Sequence, residues 1–175
     1  DAILAAYMPG QEGGRVLAEI LLGKVNPSGK LSQSWPRCPE DTPLTDTAAH
    51  TRERLLGENG LVAMSEGIFT GYRWHDKTEI RPLFPFGHGL SYTRFAYSDL
   101  TVDGMTAIFS ITNVGSVAGD EIAQLYLGET AVPAHIQMAK MQLAGYARSD
   151  AAGIHPGGGA NAMLLGRPKA LMPAV

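Results

Sequence analysis

The chain has a single cysteine, no long apolar run and no surplus of charge, and each shortage closes a class of function. Cys38 has no second cysteine to pair with, so an internal disulfide is excluded and the redox compartment stays open. No stretch approaches the ~20 consecutive apolar residues of a membrane-spanning helix. The opening residues do not read as a signal peptide, and the abrupt start on Asp1 without an initiator Met is what a piece of a longer chain would show. A net charge of −3 lacks the basic excess that nucleic acid demands. The five histidines, at 50, 75, 88, 135 and 155, have no partners at zinc-ligand spacing. Glycines are plentiful, yet none stands in a phosphate-loop or dinucleotide pattern. We expect no nucleic acid, no membrane, no metal and no cofactor.

What is present is a soluble-protein composition, 45% hydrophobic, in 175 residues, enough for one domain or two small ones. Residues 82–95 (Pro-Leu-Phe-Pro-Phe-Gly-His-Gly-Leu-Ser-Tyr-Thr-Arg-Phe) are too rich in proline and glycine for a regular helix and read as a compact aromatic turn. The chain reads mostly as α/β before this stretch and as all-β after it, which makes the stretch a joint between two units. Upstream, the apolar run from Ala2 to Tyr7 predicts a buried strand. A Gly-Gly turn follows, then a helix over residues 15–22 with Val16, Leu17, Ile20 and Leu21 on one face and Gly23 as its terminator. Glu12 sits at the helix start, where the free N–H groups favour an anion; it reads as a helix charge or a hydrogen bond to the turn, with a direct sugar contact as the alternative. Leu31, Gln33 and Trp35 alternate with serines as a short strand, and residues 47–56 allow a turn or two of helix.

Ile68, Thr70 and Tyr72 alternate as an extended edge segment, with Arg73 placed to pair with Asp76 or Glu66 and Trp74 buried or offered as a platform for a sugar. His75-Asp76 has the form of a general-base pair, but no motif ties a nucleophile to it. His88, between two glycines, is expected to hydrogen-bond backbone. Beyond the joint, strands are predicted around Phe95 to Val102, Ala107 to Thr112 and Glu121 to Leu127, spaced as in a β-sandwich. Within the third, Ala123, Leu125 and Leu127 share one face, with Ile122 and Tyr126 on the other. Residues 151–175 contain 14 Ala, Gly or Pro, poor strand material. Asn161-Ala162-Met163-Leu164-Leu165 reads as helical, and the tail reads as unrelated to the sandwich, through truncation or a shifted reading frame. The sandwich would then lack its last strands.

Several segments, in order, resemble one family. Pro9-Gly10-Gln11-Glu12-Gly13-Gly14, then Asn26-Pro27-Ser28-Gly29-Lys30-Leu31, then Trp35-Pro36 are similar to the closing part of the α/β-sandwich domain of glycoside hydrolase family 3, the β-glucosidase-like enzymes. Glu66-Gly67-Ile68 with Gly71-Tyr72-Arg73, and then Pro85-Phe86-Gly87-His88-Gly89-Leu90-Ser91-Tyr92-Thr93, resemble the segments leading to that family's fibronectin type III-like domain. Thr112-Asn113-Val114-Gly115-Ser116, Gln124-Leu125-Tyr126 and Leu143-Ala144-Gly145-Tyr146 resemble that domain itself.

The resemblance implies an α/β fragment, the end of an α/β sandwich, followed by an all-β fibronectin type III-like (immunoglobulin-like) sandwich that is incomplete. The units would be 1–40, the end of the α/β-sandwich domain; 41–81, a connection; 82–94, the joint; 95–150, a partial fibronectin type III-like domain; and 151–175, an atypical tail. It also implies a retaining exo-acting β-glycosidase acting on terminal β-linked sugars of oligosaccharides or of aryl and alkyl β-glycosides. Retention needs two carboxyl groups ~5–5.5 Å apart. The family's nucleophile lies on an N-terminal barrel domain, expected as the missing partner, and its acid/base lies upstream of the matched segments. The expectation is therefore no catalytic residue among these 17 carboxylates, with the chain acting as a brace and active-site wall. The alternative is a stand-alone carbohydrate-binding or scaffold module using Trp74 or Trp35.

Overall fold

The computed structural model describes residues 2–43, 66–128, 133, 135–149, 153–165 and 171–173. The expected helix near residues 47–56 lies outside them. Helix α1 (Gly13–Leu21) ends where the sequence predicts. Gly23 takes φ +70°, and the amides of Gly23 and Lys24 turn back to the carbonyls of Ile20 and Glu19, closing the last turn. Its apolar face is open: Leu21 is 73% exposed, and Val16 and Leu22 are exposed as well.

The preceding residues 2–7 form no strand, because no neighbouring strand among the described residues offers their backbone a partner, and Ile3, Leu4 and Tyr7 are exposed. The expected strand over Leu31 to Trp35 shrinks to one antiparallel bridge, Trp35 with Phe84. A short 3-10 turn follows at Pro39–Asp41. Residues 72 and 73, expected to be extended, instead open helix α2 (Tyr72–Thr78). Gly71, at φ +57°, turns the chain into that helix, and the apparent period-two pattern is only the approach to it.

The remaining elements are strands β1 (Phe95–Asp103), β2 (Thr106–Asn113), β3 (Ile122–Gly128), β4 (Met141–Arg148), β5 (Gly159–Leu165) and β6 (Leu171–Pro173). They form two antiparallel three-stranded sheets, ordered β1-β2-β5 and β4-β3-β6. Strand β2 shows the period of a half-buried strand: Ala107, Phe109 and Ile111 point inward while Ile108 points out. Across from them Ala123, Leu125 and Ile154 complete one core, with Phe95 and Ala147 packed at its edge. Ile111 is 1% exposed, and burying such a side chain contributes about 1.5–3 kcal/mol.

Two expectations for the C-terminal strands are corrected. Residues 161–165 are strand, not helix: β5 pairs with β2 from Thr106↔Leu165 to Thr112↔Gly159, so a continuous ladder overrides weak local propensity. Together with β6 on β3, it gives each sheet a third strand drawn from the tail that was expected to leave the sandwich unfinished. In β3 a bulge between Leu125 and Tyr126 breaks the simple alternation and buries Tyr126 beside the two core residues of that strand.

Candidate functional site

The aromatic joint is where the described elements converge. Its first half runs antiparallel to residues 31–35. Leu31 N donates to His88 O (2.8 Å), Gly87 N to Leu31 O (2.8 Å), and Trp35 N to Phe84 O (2.8 Å). Trp35 and Phe84 meet edge to face at 6.0 Å, and the His88 ring stacks on Phe84 at 5.3 Å. His88 was expected to use its side chain on backbone; the contact found for its ring is this aromatic one, and its backbone N donates to Pro85 O (3.1 Å). Gly89 must be glycine, because a Cβ there would run into the carbonyl oxygen of Gly29.

The second half of the joint is clamped by Asn26. Its Oδ1 accepts from Ser91 Oγ (2.9 Å) and Tyr92 N (2.8 Å), while its Nδ2 donates to Ala118 O (3.0 Å) in the β2–β3 connection. Tyr92 also donates its hydroxyl to Ile20 O of α1 (2.8 Å). On the strand side, Thr93 Oγ1 donates to Asn113 Oδ1 (2.6 Å), and the fully buried Asn113 gives its amide protons to Val117 O (2.8 Å) and Ile154 O (2.7 Å). All the hydrogen-bonding capacity of that amide group is used, as burial requires. Lys30 lies 3.2 Å from Glu121 Oε2 and donates to Gly89 O (3.1 Å), and Tyr97 donates its hydroxyl to Glu121 Oε1 (2.9 Å). Burial, reinforced by Glu121, pushes the Tyr97 hydroxyl well above its ordinary value.

Tyr72 performs the same office for α2. Its ring meets Phe86 of the joint at 5.0 Å and Tyr126 at 6.0 Å, and its hydroxyl accepts from Leu143 N (2.9 Å). Arg73, expected in an ion pair with Asp76 or Glu66, lies instead over the Tyr72 ring, 5.5 Å from its centre. Trp74 is half-buried and donates its indole N–H to Asp41 O (3.0 Å), tying α2 to the 3-10 turn.

Of the remaining sequence candidates, Glu12 and His75 are held by structural partners and Asp76 is not. Exposed Glu12 makes no capping hydrogen bond and pairs with Arg15 (2.9 Å). Buried His75 places Nδ1 2.9 Å from Ile80 O. Asp76 has a buried Oδ2 without a hydrogen-bond partner among the described residues, and burial raises its carboxyl pKa against the opposing pull of Lys140 and His75. These two residues, with Glu79, Pro82, Lys140 and Met141, line an open cleft of about 460 Å³. Glu79 pairs with Lys140 at 3.0 Å, which lowers its carboxyl. Asp120 pairs with Arg148. Among the described residues no three His, Cys, Asp or Glu side chains gather as a metal site, and no helix is long and apolar enough to cross a membrane.

Sequence reasoning found the joint but missed its clamps. Asn26 reads locally only as a turn former beside Pro27, and Asn113 only as a strand end. Their long-range partners leave no local signal, although a polar residue closing a clean alternation, as Asn113 does, is a hint of a buried hydrogen-bonding role.

The comparisons with known proteins agree with this geometry. Residues 1–92 match the family described as the Glycosyl hydrolase family 3 C-terminal domain, and the match ends within the joint. The probable β-glucosidase K of Emericella nidulans is 45% identical over 145 residues, 83% of this chain and 16% of that protein. A β-glucosidase of Rhizobium radiobacter is 44% identical over 135 residues, 72% of this chain and 16% of that protein. DesR, a β-glucosidase from Streptomyces venezuelae solved in complex with D-glucose, superposes with a TM-score of 0.81 at 37% identity, covering 91% of this chain and 20% of DesR. The chain thus spans a fifth or less of the length of each of these relatives, and it belongs to glycosyl hydrolase family 3 through that family's C-terminal domain.

Proposed function

We propose that this chain serves as the C-terminal portion of a retaining, exo-acting β-glycosidase of β-glucosidase type. In that enzyme it would brace the catalytic domains and wall one side of the active site without holding a catalytic carboxylate. The six strands would form a fibronectin type III-like sandwich carried on the joint at residues 82–94, with residues 1–40 as the end of the α/β-sandwich domain. The observation that carries the reading is the open apolar face of α1. Val16, Leu21 and Leu22, with Ile3, Leu4 and Met8 nearby in sequence, are exposed in a segment that matches a catalytic family. Exposed apolar clusters mark surfaces that another unit covers, and the remainder of the α/β sandwich and an N-terminal barrel are the natural cover. Supporting it, Glu12, Glu79, Asp120 and Glu121 are each engaged by a basic side chain in a structural ion pair. Each of these four is thereby engaged, whereas Asp76 keeps a buried Oδ2 without a hydrogen-bond partner among the described residues.

The substrate class follows from the relatives: a terminal β-linked sugar of an oligosaccharide or an aryl β-glycoside. A stand-alone sugar-binding module using Trp74 is disfavoured, because that indole is half-buried and spends its N–H on Asp41 O. An aryl-β-glucoside assay of the purified chain, with a glucose titration followed by tryptophan fluorescence, tests the reading. We expect neither turnover nor saturable binding. Turnover would place both carboxylates in this chain and overturn the proposal, and saturable glucose binding would favour the sugar-binding module.

A further inference from the structure

We propose that the Lys30–Glu121–Tyr97 chain is an orientation latch, fixing the angle at which the two-sheet unit is carried on the N-terminal segment while adding little to stability. The three residues come from the loop before residues 31–35, from the residue preceding β3, and from β1. Lys30 also reaches the joint through Gly89 O. Both charged side chains are largely sealed, 16% and 12% exposed. Withdrawing two charges from water costs much of what their attraction returns, so well-packed apolar residues often replace such a pair without loss of stability.

What apolar packing would not supply is geometric uniqueness. Glu121 must meet the Lys30 ammonium with one oxygen and the Tyr97 hydroxyl with the other, while Lys30 keeps the Gly89 carbonyl. A small rotation of the sheets about the joint leaves at least one buried group unpaired, which is the costly state. The clamp at Asn26 meets backbone groups and Ser91, and the rings of Trp35, Phe84 and His88 tolerate sliding.

Double electron–electron resonance on the full chain tests this. Spin labels on the exposed natural Cys38 and on Tyr146→Cys, an exposed position of β4, report the angle between the parts. With Lys30 and Glu121 intact we expect a single narrow distance. In the Lys30→Met/Glu121→Leu variant, made in a Tyr97→Phe background so that no hydroxyl of the trio is stranded, we expect the melting temperature to be kept or raised, while the distance distribution broadens or splits. Tyr97→Phe alone, which removes one contact and leaves the ion pair, should broaden it less. A triple variant that keeps the narrow distance overturns the latch. A triple variant that loses its cooperative unfolding transition does so too, since the trio would then be a source of stability.

Discussion

Gly89 shows how little room the joint leaves at its tightest point. The backbone of residue 29 passes so close that a methyl group would meet a carbonyl oxygen, an obstacle with no rotamer to yield. Gly89→Ala should therefore destabilise the chain by about 1–3 kcal/mol, the usual cost of overpacking. Urea unfolding followed by tryptophan fluorescence measures it, and an unchanged midpoint would mean the close approach is absent in solution. Tyr126 gives a pH signature. Burial, with help from Tyr72 and Asp76, pushes its hydroxyl up from 10.0 to about 12. The folded chain disfavours the phenolate, so the stabilising contribution is complete below pH 10 and is lost as pH rises toward 12. Thermal melts across that range should fall more gently for Tyr126→Phe than for the natural chain, with Tyr97 leaving a residual decline. Equal slopes would contradict the assignment.

At the scale of elements, the strength of the sequence signal tracks how local the deciding interaction is. Helix α1 was legible because its apolar period and its Gly23 terminator both act within a few residues. Strands β1 to β3 were legible from their residue pattern, and β2 follows the alternation residue by residue, whereas β4 was legible only through the family resemblance of Leu143 to Tyr146. Helix α2 was misread because a short approach to a helix imitates period two, and only the left-handed turn at Gly71 decides between them. Strand β5 was misread for a different reason: Gly159, Ala160 and Ala162 have poor strand propensity, and the pairing that makes them strand lies with β2, some 50 residues upstream. The joint was recognised by its proline, glycine and aromatic content, while Asn26, Tyr72 and Asn113, which hold it, act across distances that no local pattern encodes. If the β2–β5 ladder is the device that orders the tail, Ala162→Pro removes an amide opposite Phe109 and breaks it. Hydrogen exchange should then accelerate across β2, at a cost of about 1 kcal/mol or more. Unchanged protection in β2 would show that β5 is dispensable.

At the scale of the molecule there is a densely bonded centre, in which Trp35 Nε1 is a buried donor without a hydrogen-bond partner among the described residues, and an uncovered flank. The centre is the joint, where hydrogen bonds, stacked rings and a sealed ion pair bind the N-terminal segment to both sheets. The flank is the apolar face of α1, open to solvent in a chain that spans a fifth or less of its relatives. We propose that this chain supplies structure and that a partner unit supplies the chemistry. Reconstitution tests it most directly: the chain is mixed with a relative such as the Rhizobium radiobacter β-glucosidase from which the matching 16% has been deleted, and aryl-β-glucoside hydrolysis is followed. The account predicts no turnover from this chain, little from the truncated relative, and restored turnover from the mixture, weakened when Leu21 and Leu22 are replaced by Asp. Turnover by this chain alone, or a mixture no more active than the truncated relative, would contradict it.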